Sequence, residues 1–492
     1  MKSVVRLATI GAIVLVSSAH IGSPDAWFEG MAGSFPVTVH IEAPPVIPGI
    51  AIINVKADGA DRVTAFVNTF DAEGGTPPPD ELRTADDRPG WRRARLWVMN
   101  AGSNRITVDV HGAAGHGSVV VPFAAIAQRR LAFTPGFVVM VIAGVLVLFA
   151  GMLTLIRAAV REGVLDPGDL PDETRRRRST MAMVRATVII VLILTGMTAW
   201  WRGEDRAFQD RLYHPLAIST RLEDSSGSRR FVLTIDDSSW VRRNDVEAIR
   251  ARGEVPSTGL IDDHGKIMHV FLASVDGRSM AHLHPPTSDS VVFRSMLPPL
   301  PQGSYRVFAD IVQESGFTQT LTSTVDVPAG TEAPESPSDE DDSWATTTPH
   351  GSSVPLGDGA RLIWLRDGTD SIRARDDAGL RFVVERPPGD SASLQPYLGM
   401  PGHAAVVRDD GRVFIHLHPM GTISPAAQQR LSGHPLHNDG RDMTPSDTLR
   451  FPYAFPEPGR YTVWVQVKRN GRVLTGAFVT NVLPQGQDSG VP

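Results

Sequence analysis

His269–Pro285 reads HVFLASVDGRSMAHLHP, and His403–Pro419 reads HAAVVRDDGRVFIHLHP. Each stretch is one histidine, twelve residues, then His-x-His-Pro, with Asp-Gly-Arg at the same place in both. Eight of the seventeen aligned positions are identical, and three of the eight are histidines. Asp-Gly between alternating apolar runs is a strong hairpin signal, because a two-residue type I′ turn needs positive φ at both central positions. With Asp276-Gly277 at the turn, counting outward sets His269 opposite His284, and with Asp410-Gly411 it sets His403 opposite His418. Residues two apart on a strand share a face, so His282 joins the first pair and His416 the second. Opposed Cβ atoms lie ~5 Å apart and diagonal ones ~7 Å, which places three imidazoles of each hairpin within reach of one ion. A one-residue slip would send His269 to the face away from His282 and His284.

The repeat extends past the histidines. Gly303-Ser-Tyr305-Arg-Val307-Phe308 answers Gly459-Arg-Tyr461-Thr-Val463-Trp464, a late strand with a tyrosine near its start, as sandwich corners often have. The histidines are 134 residues apart and these glycines 156, so the second copy carries 22 extra residues after its His-x-His, including His434, His437 and Met443.

The chain of 492 residues has room for about three domains. Its net charge of −6 is modest and spread out, which does not point to nucleic acid. There is no cysteine, so disulfides, thiolate catalysis, iron–sulfur clusters and thiolate zinc sites are excluded. Residues 1–19 carry Lys2 and Arg6, an apolar run Leu7–Val16 and the small residues Ser17, Ser18 and Ala19, a secretory signal pattern. Two later segments are long and apolar enough to cross a bilayer and are expected as helices over 135–157 and 181–201. The intervening loop, 158–180, holds Arg161 and the run Arg175–Arg178, and Arg157 adjoins it; the positive-inside rule sets it in the cytoplasm and the rest outside, in the periplasm of a bacterial envelope. Trp200 and Trp201 suit an interfacial belt.

Short alternating runs broken by Pro, Gly and Asn fill 20–131, 216–327 and 354–483. The expected fold is mainly β: three Ig-like or cupredoxin-like β-sandwiches plus a two-helix transmembrane hairpin. Between the last two sandwiches, 331–353 is acidic, rich in Ser, Thr and Pro and without Lys or Arg, which predicts a disordered, self-extending linker.

The run Pro396–His403 (PYLGMPGH), then His-Leu-His-Pro, then Gly459–Val467 (GRYTVWVQV) resembles the secreted YtkA-like and heavy-metal-associated domains of bacterial envelopes, over about 216–483. That resemblance implies cupredoxin-like or Ig-like sandwiches and an association with copper handling. The first domain with its membrane hairpin is similar to uncharacterised bacterial membrane proteins that begin His-x-Gly-Ser-Pro after the signal, and this implies no activity.

Neutral imidazoles suit copper, zinc and nickel, and three nitrogen donors leave a coordination position open. Copper is the expected ion and zinc the next. Met280 shares the histidine face of the first hairpin and would add a thioether suited to Cu(I), whereas the second copy has Phe414 there. Against this stands a reading in which His269, His282, His284, His403, His416 and His418 are packing residues whose nitrogens satisfy backbone groups. A separate site is expected at the start of the mature chain: cleavage after Ala19 would free the amine of His20, which with Asp109 and His111 resembles the Cu(II) site of copper chaperones of the CopC type. No nucleophile elbow, phosphate loop, zincin helix or dinucleotide fingerprint is present, so no enzyme is expected. The two functions left open are a membrane-anchored metal sensor, buffer or delivery module and a non-metal adhesion or assembly scaffold with an envelope partner.

Overall fold

Every residue of the strands His269–Ser274 and Ser279–Leu283 is buried. A strand with one solvated face alternates, so this sheet must be covered on both sides. Val270, Leu272, Ala281 and Leu283 enter the core of their own sandwich with Phe231, Phe293 and Val307. The opposite face, carrying Phe271, Ala273 and Met280, packs instead against Ala405, Val407, Phe414 and Trp464 of the second repeat. The two histidine hairpins therefore lie at the interface where the repeats press sheet against sheet. In this computed structural model residues 20–485 are described, apart from 22–24, 70–76, 129–132, 167, 211, 226–227, 244–258, 333–335, 367–370, 378 and 433–445. The expected signal segment and the insertion residues His434, His437 and Met443 lie outside the described residues.

The fold is mainly β, with six sheets among the described residues forming three two-sheet sandwiches. The first sandwich, within Asp25–Ala125, pairs a five-stranded sheet with a four-stranded one. In the first repeat, Ile218–Ser225, Ser228–Ile235 and Val292–Met296 face a sheet ordered Thr318–Val327, Gly303–Val312, His269–Ser274, Ser279–Leu283, Ser343–Thr346. The second repeat copies this plan, its inner sheet running Arg472–Val482, Gly459–Arg469, His403–Arg408, Val413–Leu417 and ending on the short parallel strand His20–Ile21. The tyrosine corners form in both: Tyr305 donates to Pro301 O at 2.9 Å and Tyr461 to Glu457 O at 2.7 Å.

The hairpin register agrees with the count from the sequence, but the turn does not. Phe271 pairs with His282 and Ala273 with Met280, which sets His269 against His284; Ala405 pairs with His416 and Val407 with Phe414. Only the glycine has positive φ, Gly277 at 71° and Gly411 at 73°, and the N–H of each donates to the carbonyl three residues before it, Ser274 O and Arg408 O. These are four-residue loops built on a type I turn. A four-residue loop centred on the same point keeps the parity of a two-residue one, so the faces survive the change.

Two further expectations are corrected. Residues 331–353 do not form a disordered linker throughout: Ser343–Thr346 is an edge strand antiparallel to Ser279–His282. Two of its acidic residues are paired with lysines from distant sequence, Asp339 and Asp341 with Lys266 and Asp341 also with Lys468 at 3.0 Å, which offsets part of the self-repulsion that composition suggested. The helices also outrun the apolar segments. Helix α1 spans Pro135–Glu162, with Thr134 as N-cap, and α2 spans Glu173–Gln209, with Asp172 accepting from Arg175 N. The Arg-rich run is thus the first turns of α2, and the connecting loop shrinks to 163–172. Both helices are long and apolar enough to cross a membrane, and their apolar side chains, among them Leu146, Leu148, Ile189 and Leu192, are exposed. The chain leaves this hairpin beside where it entered, Tyr213 N bonding Ala127 O at 2.9 Å.

Across the interface Phe308 stacks on Phe414 with centroids 4.2 Å apart and planes 7° from parallel. Phe414→Ala should cost about 3–5 kcal/mol, read as a lower denaturant midpoint for the repeats. A loss below ~1 kcal/mol would mean that the face is not a shared core.

Candidate metal centre

Seven histidine rings meet in this interface: His264, His269, His282 and His284 from the first repeat, His403, His416 and His418 from the second. Within the first hairpin the ring centroids of His269, His282 and His284 are 4.4–5.3 Å apart, and within the second those of His403, His416 and His418 are 4.5–5.4 Å apart. The rings also touch across the interface, His269 and His282 lying 5.2 and 5.5 Å from His416.

Proton bookkeeping decides what the first triad can do. His269 Nε2 lies 3.2 Å from Asp263 O, a carbonyl that can only accept, so this nitrogen carries the hydrogen. His282 Nδ1 lies 3.0 Å from Gln466 Oε1 and 3.2 Å from Tyr397 OH. The Gln466 amide nitrogen is turned to Ser343 Oγ, and the Tyr397 hydroxyl donates to Asp341 O, so both neighbours accept and His282 Nδ1 carries the hydrogen too. The nitrogens left over, His269 Nδ1 and His282 Nε2, then both present lone pairs, and they face each other at 3.1 Å. Two bare lone pairs repel. A cation between them removes the conflict, and two nitrogens on one tetrahedral ion with ~2.0–2.1 Å bonds lie ~3.3–3.4 Å apart. His284 completes the set: its Nδ1 is 3.2 Å from the Asp342 carboxylate, which also accepts from His284 N at 2.8 Å, and its Nε2 has no partner. One ring nitrogen from each of His269, His282 and His284 lies within 4.8 Å of the others. The outer acceptors Asp263 O, Gln466 and Asp342 fix tautomer and orientation, as partners of metal-bound imidazoles do.

The support is exchanged between repeats. Asp310 pairs across the strands with His269, and Gln466 with His403, so they are equivalent positions. Gln466 holds His282, while Asp310 Oδ2 sits 3.4 Å from His416 Nδ1. Each His-x-His is thus held by the other repeat.

In the second hairpin the structure departs from the expected triad. The three residues whose ring nitrogens converge within 4.8 Å are His264, His403 and His418, with His416 turned toward Asp310 instead. His264 was not singled out from the sequence, since it is not duplicated: its counterpart is Leu398. A signal existed in the pair His264-Gly265, whose φ values of 57° and 77° form the two-residue turn that Asp-Gly was expected to supply. Met280 packs in the apolar cluster with Phe271 and Phe414. His20 pairs through its backbone with Val413 in the second repeat's sheet, whereas Asp109 and His111 sit in a sheet of the first sandwich, His111 beside His116 at 4.5 Å. Among the described residues no three-ligand group includes Asp109 or His111.

Burial sets the electrostatics. Desolvation pushes all seven imidazoles below their usual range, His264 and His418 to about 3. It raises Asp310 to about 7 and Asp342 to about 6. Six imidazole nitrogens, on His264, His284, His403, His416 and His418, are buried with no hydrogen-bond partner, an arrangement that a purely structural cluster would not favour at ~1–3 kcal/mol for each unsatisfied group.

Residues 358–483 match the model of a domain of unknown function (DUF8832), which coincides with the second repeat. No curated protein matches the chain. Among solved structures it is similar to an engineered protein (24% identity over 18% of this chain and 19% of that one, TM-score 0.14). It is also similar to the tetra-tandem repeat in the extending region of a large adhesion protein (9% identity, 89% of this chain and 72% of that one, TM-score 0.15). A third is the fibronectin(III)-like modules of Clostridium thermocellum CbhA (8% identity, 56% and 99%, TM-score 0.14). The chain spans about a fifth of the length of the first of these.

A histidine with a lowered folded pKa binds fewer protons than the unfolded chain between that value and ~6.5, so its contribution is neutral above ~6.5 and destabilising as pH falls below it, by up to ~1.4 kcal/mol per pH unit. The raised carboxyls of Asp310 and Asp342 act in the opposite sense, but seven groups outweigh two. The metal-free protein should therefore melt at a lower temperature at pH 5.5 than at pH 7.5. Equal midpoints would show that the imidazoles are not buried neutral.

Proposed function

We propose that this chain is a membrane-anchored extracytoplasmic protein of the bacterial envelope that binds a transition metal, copper first and zinc second, through its duplicated histidine hairpins. The observation that carries this reading is the 3.1 Å approach of His269 Nδ1 and His282 Nε2, each ring holding its only hydrogen on the far side. Imidazole donors without thiolate suit Cu(II) and Zn(II) best, and the Irving–Williams order favours copper. The donors are buried beneath two sheets, which fits holding an ion for sensing, buffering or delivery better than turning over a substrate. Arg157 and Arg161 at the end of α1 and Arg175–Arg178 at the start of α2 support a cytoplasmic connector, leaving the sandwiches outside.

The metal-stripped full chain, without a His-tag and in detergent, is to be titrated with Cu(II), Cu(I) and Zn(II) at neutral pH. Binding tighter than ~10⁻⁵ M (about −7 kcal/mol) is expected. His282→Ala combined with His284→Ala should remove one bound ion and weaken what remains of the first site by at least tenfold. No binding, or binding untouched by the double substitution, would leave the histidines structural. For topology, a reporter fused after Arg178 should behave as cytoplasmic and one after Pro492 as exported; an exported signal at Arg178 would overturn the orientation.

A further inference from the structure

The first triad belongs to one repeat. The second group does not: His264 comes from the first repeat and His403 and His418 from the second, with one ring nitrogen of each within 4.8 Å of the others. We propose that these three residues hold a second ion, which bridges the two sandwiches and couples metal loading to their docking. This rests on the metal reading above but can fail without it.

Four observations carry the assignment. His418 Nδ1 is 3.1 Å from Ile423 O and so holds its hydrogen there, leaving Nε2 as a lone pair with no partner. His403 has no hydrogen-bond partner at either ring nitrogen, and His264 Nε2, whose side chain is only 6% exposed, has none either, its nearest charge being Asp263 Oδ1 at 3.9 Å. Three buried rings thus aim unused nitrogens at one another across a domain boundary. Next, His264 occupies a conformation that side chains other than glycine seldom adopt, φ 57°, in a turn closed in both directions between Asp263 and Lys266. The second repeat has the same turn at Leu398-Gly399, φ 49° and 75°, closed between Tyr397 and Met400. Both copies keep the strained turn, at ~1–2 kcal/mol for a left-handed residue, yet only the first arms it with a ligand.

The turn is also fixed from the far side. Asp263 Oδ1 accepts from Ala426 N at 3.0 Å, on the helix Pro425–Ser432 of the second repeat, so the loop bearing His264 is seated on the partner domain that supplies the other two ligands. His416 stands between the two groups, 5.2 Å from His269 and 5.4 Å from His403, with Nε2 unpartnered. An ion at the bridging site can be complete only while the repeats are docked, so ion and interface stabilise each other by the same free energy.

The test uses the full chain without a tag, stripped by chelator and titrated with Zn(II), with bound metal counted and amide exchange followed by mass spectrometry. Wild type should bind two ions, and His264→Gln one. In wild type the second equivalent should slow exchange at least tenfold in 260–268, the loop bearing His264. In His403→Gln that protection should vanish even though the substitution is in the other repeat, while zinc still protects Ser279–Leu283. If His403→Gln loses wild-type exchange in the outer strand Leu380–Glu385, and so is misfolded, His418→Gln takes its place. Two ions retained in His264→Gln, or unchanged protection of 260–268 in the second-repeat variant, overturns the bridge. A single ion that survives both substitutions overturns the bridge alone, and no bound zinc in wild type overturns the metal reading with it.

Discussion

The constraint on which the molecule depends is the burial of one sheet face from each repeat against the other. A solitary sandwich would leave Phe271, Met280 and three imidazoles of the first hairpin in water, and Phe414, Trp464 and three imidazoles of the second. Docking removes all of them from solvent at once. The apolar half of the face supplies the driving force, since large aromatic side chains bury ~150–250 Å² each. The polar half is tolerated because Asp342, Gln466, Ile423 O and Asp263 O take up one nitrogen of most rings. What they do not take up is a set of lone pairs that converge, and neutrality enforced by desolvation keeps those lone pairs available.

The interface also explains why the two copies stay so alike around the histidines. Through the exchange of Asp310 and Gln466, a change in one repeat is felt by the imidazole of the other. The copies are not equal, however. A carboxylate supports His416 where an amide supports His282, and Leu398 stands where His264 would be. A duplicated domain paired with itself has become a heterodimer within one chain, with two non-equivalent histidine groups.

Much of this was readable from local pattern. The shared face of His269, His282 and His284 followed from parity, and it held although the turn was of another type, because parity depends on where the loop is centred and not on its dihedrals. The sandwiches and the two apolar helices followed from alternation and from run length. The meeting of the two hairpins was not readable, because contact across repeats leaves no periodicity; the unbroken burial of His269–Ser274 shows it only in the folded chain. His264 escaped for the same reason, as a single residue in a turn. The strand Ser343–Thr346 escaped because acidic composition was weighed without the lysines, Lys266 and Lys468, that meet it from distant sequence.

The first sandwich is fastened to the second repeat by bonds that span nearly the whole chain: Trp27 N to Thr422 Oγ1 at 2.9 Å, 395 residues apart, and Glu29 N to Met420 O at 2.8 Å. Ribosomes deliver these partners in order, at ~5–20 residues per second, so the early domain waits ~20 s or more for its seat. During that interval the helical hairpin must be laid down, and Trp27, which ends up 1% exposed, has no cover from residues not yet made. Assembly is therefore a closing of the chain's end onto its beginning. An internal deletion of 420–422, which spares every histidine, would strand the first domain half finished, and proteases would be the first to notice.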